Sequence, residues 1–153
     1  MTKLWADKLR QVDPYVPGEQ SKNKNIIKLN ANENPYPPSP KVVEALKNFD
    51  ADGLAKYPNS SAAPLVEALA KYYGVETNQI FTGNGSDDVI ALSFMSFFNS
   101  EKPILFPDIT YSFYPVWCRL FNIPYETPAI DENFKINPQD YYKENGGVIL
   151  HLG

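Results

Sequence analysis

The sequence predicts an α/β protein with a parallel or mixed sheet and helices on its faces. Two observations support this fold class. Short apolar segments typical of strands alternate with helical segments in the second half of the chain, and a glycine-rich turn joins the first predicted strand to a helix. In chain order, we predict strand 79–82, helix 86–98, strand 104–106, helix 110–121, a short strand near Tyr125 and strand 148–152.

Two helices are predicted before the first strand. Ser39 can cap a helix that has Pro40 at its first position, and apolar residues at Val42, Leu46 and Phe49 would form its buried face. A second helix is predicted from about Ser61 to Gly74, with Pro64 in its first turn. Its apolar side would consist of Leu65, Leu69 and Tyr72.

The first forty residues have no periodic apolar face, so we expect an irregular arm that needs a partner surface. At the other end, the last predicted strand stops without a following helix. A buried parallel strand normally leads into another helix, so the chain is expected to be truncated. His151, the lone histidine, lies in that apolar strand and is expected to be a core residue rather than a ligand.

Composition excludes several classes of protein. The net charge is −4 and the 14 lysines and arginines form no basic stripe, which argues against a nucleic-acid-binding protein. The apolar stretch 89–98 is too short to span a bilayer, and no secretory leader is expected in the first twenty residues. A single cysteine, Cys118, fits a reducing compartment. We therefore expect a soluble cytoplasmic protein.

The glycine loop 83–85 predicts an anion site. Glycine allows the backbone to approach a ligand closely, and the free N–H groups of Ser86 and Asp87 would open the next helix and favour phosphate. Two alternatives remain at this point. The loop can be a simple helix cap after a tight turn, or part of a dinucleotide-binding fold in which Asp108 would be the acidic residue, although the third glycine of that fingerprint is absent.

Four collinear segments resemble the histidinol-phosphate aminotransferase family of fold type I pyridoxal-phosphate enzymes. One of them, the tyrosine block at 107–114, has two more residues between its proline and threonine than the family pattern. The segments are Leu-Asn-Ala-Asn-Glu-Asn-Pro-Tyr at 29–36, Tyr-Pro at 57–58 before a serine-led helix, Gly-Asn-Gly-Ser-Asp at 83–87, and Pro-Asp-Ile-Thr-Tyr-Ser-Phe-Tyr at 107–114.

The resemblance implies pyridoxal 5'-phosphate as the cofactor and assigns roles to residues. Ser86 and Asp87, after Gly85, would hold the cofactor phosphate, and Tyr111 would stack on the pyridine ring. Tyr57 would reach the cofactor phosphate of a neighbouring subunit, which implies a homodimer. Three residues would contact the phosphorylated amino substrate: Tyr15, Asn32 and Glu33. An ordinary packing or loop role remains the alternative for Tyr111, Tyr57, Asn32 and Glu33.

The same resemblance implies that residues 1–38 form an arm and residues 39–153 the first part of the large, cofactor-binding domain. The lysine that would form the Schiff base lies beyond residue 153 in the family, and neither Lys22 nor Lys56 has a suitable context. The chain alone is thus expected to be inactive. The alternatives are a related enzyme, such as threonine-phosphate decarboxylase or an aromatic aminotransferase, and a non-catalytic phosphate-binding fragment.

Overall fold

The computed structural model describes residues 9–10, 12–18, 21–23, 25–30 and 33–151. Two compact units divide the chain. One consists of residues 17–82, and the other of residues 83–153 together with the N-terminal segment through Val16. Within the described part of residues 1–38, no helix or strand forms. The assignment of these residues as an arm stays a prediction.

The unit of residues 17–82 contains two helices. Helix α1 spans Pro40–Lys47, and the Ser39 side chain accepts a hydrogen bond from the Val42 N–H, so the predicted N-cap is confirmed. Helix α2 spans Ala63–Tyr73, with Pro64 in its first turn and Gly74 after its last residue. A 3-10 helix at Thr77–Gln79 packs against α2.

The buried face predicted for α1 is wrong, and the one predicted for α2 is right only at Leu69. No residue of α1 is buried, and Leu46 is 68% exposed. In α2 the side turned inward contains Val66, Leu69 and Ala70, while the predicted Leu65 and Tyr72 are exposed. An amphipathic pattern identifies a face that is suitable for burial, but whether a partner surface covers it depends on tertiary contacts that the pattern does not contain.

The predicted strand at 79–82 is also wrong. Glu76 and Gln79 form a capping box, in which each side chain bonds the other residue's backbone N–H, and this closes a 3-10 turn over the start of the predicted strand. Ile80 then has extended backbone angles, but no strand pairs with it in the described chain. A strand needs a hydrogen-bonded neighbour, which an apolar run does not guarantee.

The second unit contains a three-stranded parallel sheet with the order β2-β1-β3, as the α/β prediction requires. The strands are short: β1 spans Ile104–Leu105, β2 spans Tyr125–Glu126 and β3 spans Gly147–Val148. Helix α3, Ser86–Phe97, precedes β1, and helix α4, Phe113–Phe121, connects β1 to β2. A 3-10 helix at Pro138–Tyr141 lies in the long connection to β3.

The core of this unit forms where α3 and α4 pack on the central strand. Its buried residues are Phe94, Ile104, Phe106, Tyr114, Cys118 and Ile123. Met95 and Phe97, near the C-terminal end of α3, are exposed. His151 is exposed as well and follows the end of β3, so the expectation of a core histidine is wrong. The predicted strand ran to Leu152, which lies outside the described residues.

Candidate functional site

The glycine loop opens α3 in the way an anion site requires. Gly85 has φ 88° and ψ 169°, a backbone conformation that residues with a Cβ essentially do not adopt. At Gly83 a Cβ would lie only 2.8 Å from Val89 Cγ2. The chain therefore needs glycine at both positions to turn directly into the helix.

The first turn of α3 presents unpaired backbone donors. In the described chain, the N–H groups of Ser86, Asp87 and Asp88 have no hydrogen-bond acceptor, and the first bond of the helix runs from the Val89 N–H to the Gly85 carbonyl. The first N–H groups of any helix lack intrahelical partners, and the helix dipole makes this end favourable for an anion. The exposed Ser86 side chain adds a hydroxyl donor at the same end.

Two carboxylates of this turn are engaged by neighbouring donors. The Asp88 carboxylate accepts a hydrogen bond from the Asn84 N–H at 3.0 Å and so fastens the glycine loop to the helix. Asp87 Oδ1 accepts a hydrogen bond from the Tyr111 hydroxyl at 2.7 Å. These contacts give both negative charges a partner beside the unpaired donors.

Tyr111 is thereby placed next to the start of α3. It lies between the end of β1 and the start of α4, and its partly buried ring contacts Phe113 and Tyr114 at centroid distances of 5.8 and 5.7 Å. Burial raises the pKa of Tyr111 from 10.0 to about 12, and the hydrogen bond to Asp87 and nearby negative charge act in the same direction. The hydroxyl is therefore a stable donor at neutral pH.

This shift predicts how Tyr111 titrates. We expect Tyr111 to ionise near pH 12 in the folded protein. The Tyr111→Phe variant should lose that phase when absorbance near 295 nm is followed against pH. Because the folded pKa lies above the ordinary value, the group's contribution to stability is complete below pH 10 and is lost as the pH rises towards 12. Normal titration of all tyrosines in the native protein would contradict the contact with Asp87.

Tyr15 lies near the same place. Its ring stacks on Phe113 with a centroid distance of 4.3 Å and an interplanar angle of 19°. Phe113 also contacts Tyr111, so both tyrosines touch the same ring. Of the predicted site residues, the structure thus brings Gly85, Ser86, Asp87, Tyr111 and Tyr15 together in one unit.

The remaining predicted residues belong to the unit of residues 17–82. Tyr57 is 100% exposed, so no side chain among the described residues covers it. Glu33 forms an ion pair with Lys28 at 2.5 Å. Asn32 lies outside the described residues. The expected roles of Tyr57, Asn32 and Glu33 stay predictions.

Several residues that shape the site were not singled out from the sequence. Asp88 lies four residues after Asn84, and this spacing was the available sign that it could cap the loop. Phe113, which contacts both Tyr15 and Tyr111, had no distinguishing signal among nine phenylalanines.

Asp108, the acidic residue of the alternative dinucleotide fold, accepts backbone hydrogen bonds from Ile109 and Ile130. That occupied carboxylate disfavours a ribose-binding role.

A metal site and a membrane-spanning helix each have requirements that the described residues do not meet. No group of three or more His, Cys, Asp or Glu side chains is arranged to hold a metal ion. Nor is any described helix both long and apolar enough to cross a membrane.

The second unit thus combines a parallel sheet, unpaired N–H groups at the N-terminus of α3 and a tyrosine bonded to the first turn of that helix. The family model for aminotransferase class I and II matches residues 24–148, and the chain belongs to that family. The predicted family and fold class are therefore confirmed.

Individual relatives are more specific. The chain is 54% identical over 150 residues to histidinol-phosphate aminotransferase 1 of Hydrogenovibrio crunogenus, an alignment that covers 98% of this chain and 42% of the relative. It is 51% identical, with the same coverage, to histidinol-phosphate aminotransferase of Clostridium beijerinckii. The corresponding enzyme of Lactococcus lactis is 49% identical over 95% of this chain and 41% of its own length. The chain thus spans less than half the length of these relatives.

Proposed function

We propose that this chain supplies the phosphate-binding part of a histidinol-phosphate aminotransferase of histidine biosynthesis. The whole enzyme would exchange an amino group between histidinol phosphate and 2-oxoglutarate and form imidazole acetol phosphate and glutamate. The names of the relatives support a histidinol-phosphate aminotransferase over a threonine-phosphate decarboxylase or an aromatic aminotransferase. The observation that carries the proposal is the set of unpaired N–H groups at the start of α3, beside Tyr111.

Pyridoxal 5'-phosphate fits the residues that are present. Its phosphate needs several donors in a small space, and the N–H groups of Ser86 and Asp87 and the Ser86 hydroxyl provide them where Gly85 has no Cβ. Tyr111 has an aromatic face and a hydroxyl fixed by Asp87, which suits a position against the pyridine ring. When bound, the cofactor supplies the electron sink for amino transfer.

The residues of this chain would then bind and orient the cofactor and the substrate. They would not transfer the reacting proton. Ser86 and Asp87 would anchor the phosphate, Tyr111 would fix the tilt of the ring, and Tyr15, Asn32 and Glu33 would contact the phosphorylated amino substrate. Three described lysines form ion pairs with glutamates, namely Lys28, Lys102 and Lys143. We propose that the lysine of the Schiff base lies outside the 153 residues. The 153 residues alone are predicted to be inactive in transamination.

We extend the proposal to assembly, domains and location. The fully exposed Tyr57 supports a role towards the cofactor phosphate of a second subunit in a homodimer. Residues 1–38 would serve as the arm, and residues 39–153 as the first part of the large domain. We propose a cytoplasmic location because Cys118 is the one cysteine of the sequence and a free thiol, which fits a reducing compartment.

A comparison of pyridoxal phosphate with pyridoxal tests the phosphate site. We expect the protein to bind pyridoxal phosphate more tightly by about tenfold or more, since hydrogen bonds to a charged group contribute about 1.5–3 kcal/mol each. Replacing Ser86 by alanine should reduce this preference about tenfold or more by removing one of these donors. Calorimetric titration of both ligands measures the ratio.

The matched control is Ser96→Ala, which removes an exposed hydroxyl near the other end of α3. This variant should retain the native preference for the phosphorylated ligand. Equal affinity for pyridoxal and pyridoxal phosphate in the native protein would reject the proposed phosphate site.

A further inference from the structure

Three contacts fasten the N-terminal segment to α4, and we call them the arm clamp. The Arg10 guanidinium donates a hydrogen bond to the Leu120 carbonyl, Asp13 forms an ion pair with Arg119 at 2.9 Å, and Tyr15 stacks on Phe113. The arm residues are more than one hundred positions away from Leu120 and Arg119 in the sequence. All of them belong to the same compact unit.

The clamp follows the length of α4. Phe113 is the first residue of the helix, whereas Arg119 and Leu120 lie in its last turn. Arg119 Nε donates to the Pro115 carbonyl at 3.2 Å, which holds the guanidinium along the helix while its Nη1 faces Asp13. The arm therefore runs from the C-terminal end of α4, where Arg10 and Asp13 are held, to the N-terminal end, where Tyr15 meets Phe113.

This direction places Tyr15 at the candidate site. Phe113 also contacts Tyr111, and Tyr111 bonds Asp87 in the first turn of α3. Only Pro14 separates the Asp13 ion pair from Tyr15, and the proline ring fixes its own φ and restricts the residue before it. A contact at Asp13 thus limits where the Tyr15 hydroxyl can lie.

We propose that Asp13 and Arg119 are positioning residues, which hold Tyr15 where its hydroxyl can contact the phosphate of the amino substrate. This inference rests on the proposed function and extends it to two residues that touch neither cofactor nor substrate. Arg10 assists by fixing the start of the arm. Both partners of the ion pair are solvent-exposed, so the clamp adjusts the position of Tyr15 and contributes little to global stability.

The test combines two readouts on the purified 153-residue protein. The first is the rate at which trypsin cleaves the bond after Arg10, which reports release of the arm. The second is calorimetric affinity for histidinol phosphate and for histidinol, without added cofactor. The variants are Asp13→Asn, Arg119→Gln, their combination and Arg119→Lys, with Glu144→Gln as a control that removes the exposed Lys102 ion pair elsewhere in the unit.

We expect Asp13→Asn and Arg119→Gln each to raise the cleavage rate about two- to fivefold, the range for loss of an exposed ion pair. Affinity for histidinol phosphate should fall by the same factor, whereas affinity for histidinol should not change. The double variant should resemble the single variants because all three lose the same ion pair, between Asp13 and Arg119. Arg119→Lys should retain part of the native affinity and of the native resistance to cleavage. Glu144→Gln should behave as the native protein.

Four results would overturn the inference. An unchanged cleavage rate would show that the ion pair does not hold the arm. Faster cleavage with unchanged affinity for histidinol phosphate, or an equal loss for both ligands, would show a purely structural contact. If the native protein bound no histidinol phosphate at all, the proposed substrate would fail together with the inference, and the cleavage rates would still show separately whether the clamp exists.

Discussion

The Phe106→Ala variant is expected to lower the free energy of unfolding by about 3–5 kcal/mol, the usual cost of removing a large buried aromatic side chain. Phe106 is 0% exposed and directly follows the central strand β1. Its ring contacts Tyr114 of α4 at 5.6 Å and Tyr125 of β2 at 5.3 Å. The cavity would therefore loosen α4 and β2 together, with a lower urea midpoint in circular dichroism as the measurement.

The control for this prediction is Phe97→Ala. Phe97 lies in the last turn of α3 and is 77% exposed, so its removal should change the stability by less than about 0.5 kcal/mol. Similar losses in the two variants would mean that the core is not located where α3 and α4 meet the sheet.

The Gly85→Ala variant is expected to weaken binding of pyridoxal phosphate about tenfold or more. Nothing lies within 4 Å of a Cβ at this position, so the cost comes from backbone strain rather than from a clash. A residue forced into such a conformation costs about 1–3 kcal/mol, and relief of that strain would rotate the N–H groups of Ser86 and Asp87 away from the ligand. Calorimetric titration gives the affinity.

Gly53→Ala provides the matched control. A Cβ at Gly53 also meets nothing within 4 Å, but this glycine lies in a 3-10 helix without a left-handed backbone angle. Its substitution should leave the affinity unchanged. Native affinity in Gly85→Ala would contradict the assignment of the cofactor phosphate to the start of α3.

The starts of helices, which short local motifs determine, and the pairing of strands were the features best predicted from the sequence. Ser39 before Pro40 predicted the start of α1, and the glycine loop predicted the start of α3. The strands near 104 and 125 pair as expected because alternation with helices implies parallel neighbours. Burial was harder to predict. Leu46, Leu65 and Tyr72 have the helical spacing of core residues, yet they remain exposed because spacing does not specify a partner.

The family resemblance predicted the residues of the candidate site, and the structure shows which of these residues contact one another. The motif identified Ser86, Asp87 and Tyr111, and the hydrogen bond between Asp87 and Tyr111 joins two of its segments across 24 positions. The contact between Asp13 and Arg119 had no comparable signal, because single opposite charges more than one hundred residues apart are common in any sequence. Such pairs become visible only when the chain is folded.

We propose that these 153 residues bind the cofactor phosphate but do not contain the lysine that forms the Schiff base. The most direct test is borohydride reduction of the purified protein with one equivalent of pyridoxal phosphate, followed by peptide mass mapping. We predict phosphate-dependent binding of the cofactor without stoichiometric reductive labelling of any one lysine. Stoichiometric labelling of a single lysine, such as Lys22 or Lys56, would contradict the claim and show that the chain contains its own Schiff-base lysine.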